Sequence, residues 1–398
     1  MKILVINSGS SSLKFQLLNT LGLSPVISGM IDRIGAKQSK FSYTLYRGKE
    51  IVNKIDEFSY IKDTTDAFKL LIDMLQNSGV INASTDLTAI GHRVVHGGDQ
   101  FNQPVLITEF VIDSIRKNIP LAPLHNPANL KGIEICRENF PEIPQVAVFD
   151  TAFHQTMPEK AYRYPLENTL YGEHKIRRYG FHGTSHQYVT NCVAQVLGKP
   201  VSQLNVITLH LGNGASAAAI QAGQSVDTSM GMTPLEGLMM GTRCGDIDPG
   251  IIFYQARTRG LNFDEIDNQL NHQSGLYGIC GLNDMREIEQ QAEHGEKHAK
   301  LAIEMYCYRI KKYIGAYIAI LGRLDGLVFT AGIGENSQTV RLLVCQGLEH
   351  LGIHIDPKKN NITINSATEI QTNESPVKIL VVPTNEETEI ARQTLTCI

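Results

Sequence analysis

Two arginines and a histidine stand where apolar runs of this chain give way to glycine-rich loops. Arg93 lies in Gly91-His92-Arg93-Val94-Val95-His96-Gly97-Gly98, just after the strand-like run Leu87–Gly91. His182 lies in His182-Gly183-Thr184-Ser185-His186, and Arg243 in Gly241-Thr242-Arg243-Cys244-Gly245-Asp246. Asp150 ends the apolar run Val146–Phe149, the position at a strand's C-terminal edge where open α/β sheets place their chemistry. A guanidinium in such surroundings is costly unless it meets an anion. The set therefore suits a reaction that handles negative charge, with His182 as a hydrogen-bond donor to the anion. The plain structural alternatives are a salt bridge for Arg93, pairing of Arg243 with Asp246 or Asp248, and a turn-capping role for Asp150.

Metal ligation by histidine does not fit. His92 with His96 and His182 with His186 are spaced i, i+4, but neither pair has the glutamate and helical setting of a zinc HExxH site. Phosphate binding fits better. Val5-Ile6-Asn7-Ser8-Gly9-Ser10-Ser11-Ser12-Leu13-Lys14-Phe15 and Val206-Ile207-Thr208-Leu209-His210-Leu211-Gly212-Asn213-Gly214-Ala215-Ser216 share one plan. Each is an apolar run, a knot of Gly, Ser and Asn, and a return to strand-like residues. Such a hairpin gathers small side chains and backbone N–H groups around a concavity that suits a phosphate. Only the first carries a lysine at its exit, Lys14, so the two are expected to hold different ends of a phosphate chain. A third turn, Thr330-Ala331-Gly332-Ile333-Gly334-Glu335-Asn336, opens a helix and lets backbone approach an adenine or ribose. There is no GxxxxGK[ST] and no GxGxxG.

Regular elements must carry these groups. Strand-like runs cover 2–7, 11–18, 24–32, 88–96 and 145–150, with helical patterns over 64–78, 108–118 and 125–139. A second series follows: a helix at 185–197, strands at 205–211, 215–221 and 224–229, and a long helix at 299–322. After it come strand 326–330, strand 377–382 and a last helix, 385–396, for which Thr384 and Glu387 form a capping box. Region 19–62 carries least of the motif content and is expected to decorate the first sheet. Strand triplets followed by helices, occurring twice, predict a duplicated α/β fold of two similar domains around a nucleotide cleft. The expected domains are 1–150 plus about 386–398, and 151–385.

Composition narrows the class. The chain has 398 residues, 36 Lys+Arg and 40 Asp+Glu, a net charge of −4, so nucleic acid and anionic membranes are not expected partners. Its seven cysteines are scattered without a CxxC pair, which predicts reduced thiols in a cytoplasm. No apolar run approaches the ~20 residues of a membrane span, and Lys2 enters a strand with no leader-like segment before it.

At these residues the chain resembles the acetate kinase family, within the actin/sugar kinase/Hsp70 superfamily of duplicated, ribonuclease H-like ATP-binding folds. The likeness runs from residue 3 to the C-terminus. It includes Asn7–Lys14, Gly91–Gly98, Ala122–Pro127, Phe149–His154, Arg178–His186, His210–Gly214, Asp227–Gly231, Gly241–Arg243, Gly332–Asn336 and Thr384–Glu387. The resemblance implies reversible, Mg²⁺-dependent phosphoryl transfer between ATP and acetate, giving acetyl phosphate and ADP, with Mn²⁺ as the alternative ion. Asn7 and Glu386 would hold the metal. Asp150, His182 and Arg243 would be catalytic, Arg93 would face the acetate carboxylate, and Val95, Leu124, Phe181 and Pro234 would wall the acceptor pocket. The nucleotide would lie on Ser12, Lys14, His210, Leu211, Gly212, Asn213, Gly214, Asp284, Met285, Arg286, Gly332, Ile333, Gly334, Glu335 and Asn336. Family members are usually homodimers. A propionate kinase of the same family is the alternative, although valine at 95 resembles acetate-preferring members.

The acceptor's charge decides what such a site must do. A short carboxylic acid is already ionised at neutral pH, so Asp150 is not needed to remove a proton and is better assigned to orienting other groups. A carboxylate ~3.5 Å from a phosphoryl oxygen costs roughly 4–5 kcal/mol per charge pair at an effective dielectric of ~20. Two arginines, a histidine and a divalent ion together offset that. Removing Arg93 or Arg243 is expected to slow turnover at least ~10²-fold at unchanged fold.

Overall fold

The computed structural model describes residues 1–48, 50–81 and 86–398. The chain divides into two compact units. The first comprises Met1–Gln155 and Asn385–Ile398, the second Thr156–Thr384.

The sheet of the first unit is built on β1 (Lys2–Ser8), β2 (Ser12–Asn19), β3 (Pro25–Asp32), β4 (Ser39–Arg47), β5 (Glu50–Ser59), β6 (Leu87–Val94), β7 (Val105–Leu106) and β8 (Gln145–Phe149), in the order β5-β4-β3-β2-β1-β6-β8-β7. β1 is apolar on both faces because both are covered. Leu4 and Ile6 pack with Phe15, Phe68, Leu71 and Ile135, beneath helices Thr64–Asn77 and Asn126–Asn139. Ile3 and Val5 point the other way, with Leu18, Val146 and Val148, onto Ile390 and Ala391 of helix Glu386–Leu395. That helix lies so close to β6 that a methyl on Gly91 would come within 2.3 Å of Thr394 Oγ1. Region 19–62 extends the sheet through β3, β4 and the solvent-facing β5.

The second sheet repeats the plan with β9 (Asn205–Leu211), β10 (Ala215–Gln221), β11 (Gln224–Thr228), β12 (Gly326–Thr330), β13 (Thr368–Glu369) and β14 (Lys378–Val381), in the order β11-β10-β9-β12-β14-β13. In the first unit β1 pairs antiparallel with β2 and parallel with β6, which pairs parallel with β8. In the second, β9 pairs antiparallel with β10 and parallel with β12, which pairs parallel with β14. The two predicted hairpins therefore occupy the same place in both sheets. Each is closed by one backbone bond, Gly9 N to Ser12 O at 2.7 Å and Gly212 N to Gly214 O at 3.0 Å. The alanines of β10 present a flat face to the 25-residue helix Lys297–Leu321.

The capping box expected at Thr384 and Glu387 does not form. Asn385 caps the last helix, its Oδ1 accepting from Thr388 N at 3.0 Å. Both box residues are engaged elsewhere: Thr384 Oγ1 lies 2.9 Å from Ser185 Oγ, and Glu387 pairs with Lys14. None of the seven cysteines is disulfide-bonded. Among the described residues no helix is long and apolar enough to cross a membrane.

Candidate active site

In the first unit, β6 and β8 run parallel and bring Arg93 and the residue after β8, Asp150, side by side. Arg93 Nη2 donates to Asp150 Oδ2 at 2.9 Å, and Nη1 reaches Asn7 Oδ1 at 3.4 Å. Its Nε lies 3.9 Å from Glu386 Oε2 and makes no hydrogen bond among the described residues. The guanidinium thus keeps donor capacity while Asp150, 1% exposed, fixes its orientation. Burial works against the Arg93 charge, but Asp150 and then Glu386 outweigh it and hold its pKa above the ordinary value. The salt bridge foreseen as a structural alternative is present. It also revises the expectation that Arg93 can be removed at unchanged fold, because the buried carboxylate of Asp150 would lose its guanidinium partner.

Glu386 begins the last helix. Burial is the main cause that pushes its carboxyl up; Arg93 opposes the rise, while Asp150 and Glu387 add to it. Lys14 Nζ lies 2.6 Å from Glu387 Oε1, so its charge is already answered within the unit. Three carboxylates thus face two cations. The amide oxygen of Asn7 and the carboxylate of Glu386 are hard donors, and the local excess of negative charge favours a divalent cation. Among the described residues no three His, Cys, Asp or Glu side chains are grouped to cage an ion. The donor set fits Mg²⁺, which keeps much of its shell as water and ligand oxygens.

In the second unit, His182 has φ 58° and immediately precedes helix Gly183–Leu197. Its Nδ1 is 2.9 Å from Ser216 Oγ, which is also 2.8 Å from His186 Nε2, and His186 Nδ1 is 2.7 Å from Thr208 Oγ1. The ring stacks on His210 with centroids 4.1 Å apart, and His210 Nδ1 lies 2.8 Å from Ser185 Oγ. The five groups come from β9, β10 and one helix turn, so the imidazole of His182 is held on its Nδ1 edge and on one face. Both predicted histidine pairs serve hydrogen bonding within the fold; His92 Nε2 is 2.8 Å from Gln145 Oε1, and His96 Nδ1 accepts from Gly98 N.

Arg243 is carried by a loop tied to the second hairpin. Gly241 N donates to Asn213 O at 2.9 Å, and Tyr277 N to Gly241 O at 2.9 Å. A methyl on Gly241 would meet Asn213 Oδ1 at 1.9 Å, so a larger residue there needs the Asn213 side chain to move. Among the described residues the structural alternative, pairing of Arg243 with Asp246 or Asp248, does not occur. Asp246 accepts from Gly237 N and Tyr313 Oη, and Asp248 from Gly250 N. Burial lowers the Arg243 pKa, the mark of a cation held without a counter-charge. A point 1.5 Å off Gly214 Cα, toward its missing side chain, lies 3.6 Å from His182 Nε2 and 3.7 Å from Arg243 Nη1. Gly214 therefore leaves open a space bordered by the imidazole of His182 and the guanidinium of Arg243.

Beside it is a cavity of about 600 Å³ lined by Gly212, Asn213, Asp284, Met285, Arg286, Gly332, Ile333 and Asn336, together with Asn283, Glu289 and Ser337. The last three were not foreseen. Of the remaining residues expected at the nucleotide, His210 and Leu211 are buried in β9, and Gly334 packs on Phe329. Glu335 Oε1 accepts from Ala331 N at 2.8 Å and Thr384 N at 3.0 Å, so it braces the turn. Ser12 and Lys14 belong to the first unit, at the start of β2. Buried Arg341, which no sequence motif marked, donates to Gly334 O at 3.0 Å and Glu335 O at 2.8 Å and closes the helix Ala331–Asn336. Among the expected pocket walls, Val95 is buried and Leu124 exposed in the first unit; Phe181 is buried and Pro234 half-buried in the second.

Comparison with known proteins agrees across the whole chain. The model of the Acetokinase family matches residues 2–392. An "Acetate kinase" of Sulfurovum sp. (strain NBC37-1) is 55% identical over 395 residues, covering 99% of this chain and 98% of the relative. Another, of Syntrophobacter fumaroxidans, is 50% identical over 399 residues, covering 100% and 97%. Among solved structures, Porphyromonas gingivalis acetate kinase superposes with a TM-score of 0.93 at 45% identity, covering 99% of both chains. A propionate kinase from Francisella tularensis does so with a TM-score of 0.92 at 46% identity over the full length of both.

Proposed function

Because the chain belongs to the acetokinase family, we propose that it catalyses reversible, direct in-line transfer of the γ-phosphoryl group of ATP to acetate, giving acetyl phosphate and ADP. The observation that carries this reading is Arg243: a half-buried guanidinium with no carboxylate partner among the described residues, bordering the same open space as His182. Charge that spreads over the equatorial oxygens of a transferring phosphoryl is what such a pair stabilises. Arg93, oriented by Asp150 and with Nε unused, is suited to receive the acceptor carboxylate. Asp150 then acts by holding Arg93, and no base is required, because acetate is ionised at neutral pH. The cavity beside Gly212 and Gly332 is assigned to the nucleotide, whose rings and ribose can lie against glycine backbone.

Asn7 and Glu386 are the residues suited to hold Mg²⁺, which when bound would neutralise phosphate charge. A cytoplasmic homodimer belongs to the same proposal, with Leu301, Tyr308 and Ile320 exposed on helix Lys297–Leu321 as the candidate surface.

The test is to trap acyl phosphate with hydroxylamine from purified protein, acetate, ATP and Mg²⁺. Hydroxamate that requires all three supports the reading; ATP hydrolysis indifferent to acetate refutes it. The likeness to a propionate kinase supports a second reading. With Val95 in place one extra methylene is worth ~1–3 kcal/mol against the larger acid, so acetate should show the higher kcat/KM. A higher value for propionate selects the alternative.

A further inference from the structure

Helix Asn126–Asn139 carries two buried asparagines one turn apart, Asn126 and Asn129, on a single face. Asn126 accepts from His96 N at 3.1 Å and donates to His96 O at 3.0 Å and Ile115 O at 3.3 Å. Asn129 accepts from Val95 N at 3.0 Å and donates to Ser8 O at 2.6 Å. The two segments that Asn129 joins are the ones that carry the acceptor chemistry. Val95 follows β6 directly, two residues after Arg93, and Ser8 ends β1 next to Asn7. Since Arg93 Nη1 also reaches Asn7 Oδ1, the connections close a ring through Asn7, Ser8, Asn129, Val95 and Arg93. A neutral amide is the side chain that can accept one backbone N–H and donate to another backbone C=O in this buried place; a carboxylate lacks the donor and a hydrocarbon lacks both.

We propose that Asn129 is a positioning residue for acceptor selection, fixing the Val95 backbone against Arg93 and Asn7 so that the pocket discriminates acids by length. This rests on the phosphotransfer reading above. Asn129 touches none of the reacting groups. It acts by leaving Val95 no freedom to retreat from a longer acyl chain, and its loss would strand Val95 N and Ser8 O unpaired.

Steady-state acyl phosphate formation from acetate and from propionate tests the idea in the wild type, Asn129→Ala and Asn129→Gln, with melting temperatures measured alongside. Asn129→Gln keeps donor and acceptor on a stem one methylene longer, so it retains both bonds while displacing Val95. Both variants are expected to raise KM for acetate about tenfold, to leave KM for ATP within about twofold, and to shrink the acetate-to-propionate ratio of kcat/KM at least about fivefold. A wild-type ratio in Asn129→Gln overturns the proposal whether or not Asn129→Ala folds. So does an equal rise in both KM values, which would mark a general structural role. Failure of the wild type to make acyl phosphate from either acid refutes the phosphotransfer reading instead.

Discussion

Replacing Gly214 by alanine separates the chemistry of the site from its stability. The added methyl would lie 3.6 Å from His182 Cε1 and Nε2 and 3.7 Å from Arg243 Nη1, all ordinary van der Waals contacts, and the backbone of Gly214 is outside the left-handed region. Nothing has to move to accept it. Loss of chain entropy in the unfolded state should even stabilise the fold by ~0.4–1 kcal/mol. The same methyl fills the space assigned to a phosphoryl oxygen. Pushing that oxygen from ~3 to ~4.5 Å from Arg243 weakens one unit-charge attraction from roughly 5.5 to 3.7 kcal/mol at an effective dielectric of ~20. Losing the hydrogen bond from His182 to a charged oxygen costs a further ~1.5–3 kcal/mol. Together these amount to ~3–5 kcal/mol, a fall in kcat of about 10²- to 10³-fold or slightly more. The assay is hydroxamate trapping at saturating ATP and acetate, beside urea unfolding of both proteins. A Gly214→Ala protein that turns over within threefold of wild type refutes the placement of the phosphoryl group between His182 and Arg243. A clear loss of stability would refute the packing argument.

The two arginines should part company on the same two measurements. Arg243→Ala is expected to keep stability within ~1 kcal/mol while kcat falls at least ~10²-fold, because no carboxylate is abandoned. Arg93→Ala takes the guanidinium away from the buried carboxylate of Asp150 and should also cost ~3–5 kcal/mol in urea unfolding. His92 predicts the acid limb of stability: burial lowers its pKa to about 4, against the opposing bond to Gln145. Between about 4 and the ~6.5 of the unfolded chain, only the unfolded state binds this proton. The contribution is therefore complete above ~6.5 and declines by an order of 3 kcal/mol as the pH falls toward 4, and His92→Gln should flatten that slope in urea titrations at pH 7 and 5.

What the sequence disclosed was local. The runs Ile3–Ile6 and Val206–Leu209 are short, β-branched and followed by small residues, so both strands and both hairpins could be placed from neighbours alone. The pairing of Arg93 with Asp150 spans 57 positions, and which carboxylate it would meet depended on the order β1-β6-β8. Arg243 could not be distinguished from an ordinary loop ion pair until Asp246 was found engaged by Gly237 N and Tyr313. The motif Ala122–Pro127 was visible, but the work of Asn129 lies in contacts 34 and 121 residues away. Arg341 was silent for the same reason: its partners are backbone carbonyls, which leave no pattern in side-chain types. Thr384 and Glu387 had the right spacing for a cap, and lost that role to partners 199 and 373 residues away: Ser185 and Lys14.

The helix Glu386–Leu395 has a consequence for how the protein is made. It belongs to the first unit, yet it leaves the ribosome only after all of Thr156–Thr384. At ~5–20 residues per second that interval lasts roughly 10–45 s. Throughout it the nascent chain presents Ile3, Val5, Leu18, Val146 and Val148 with no cover from Ile390 and Ala391, an apolar face of the kind holdase chaperones occupy. Glu386 arrives with the covering helix, so the first unit acquires this carboxylate and its finished sheet in one late step of translation.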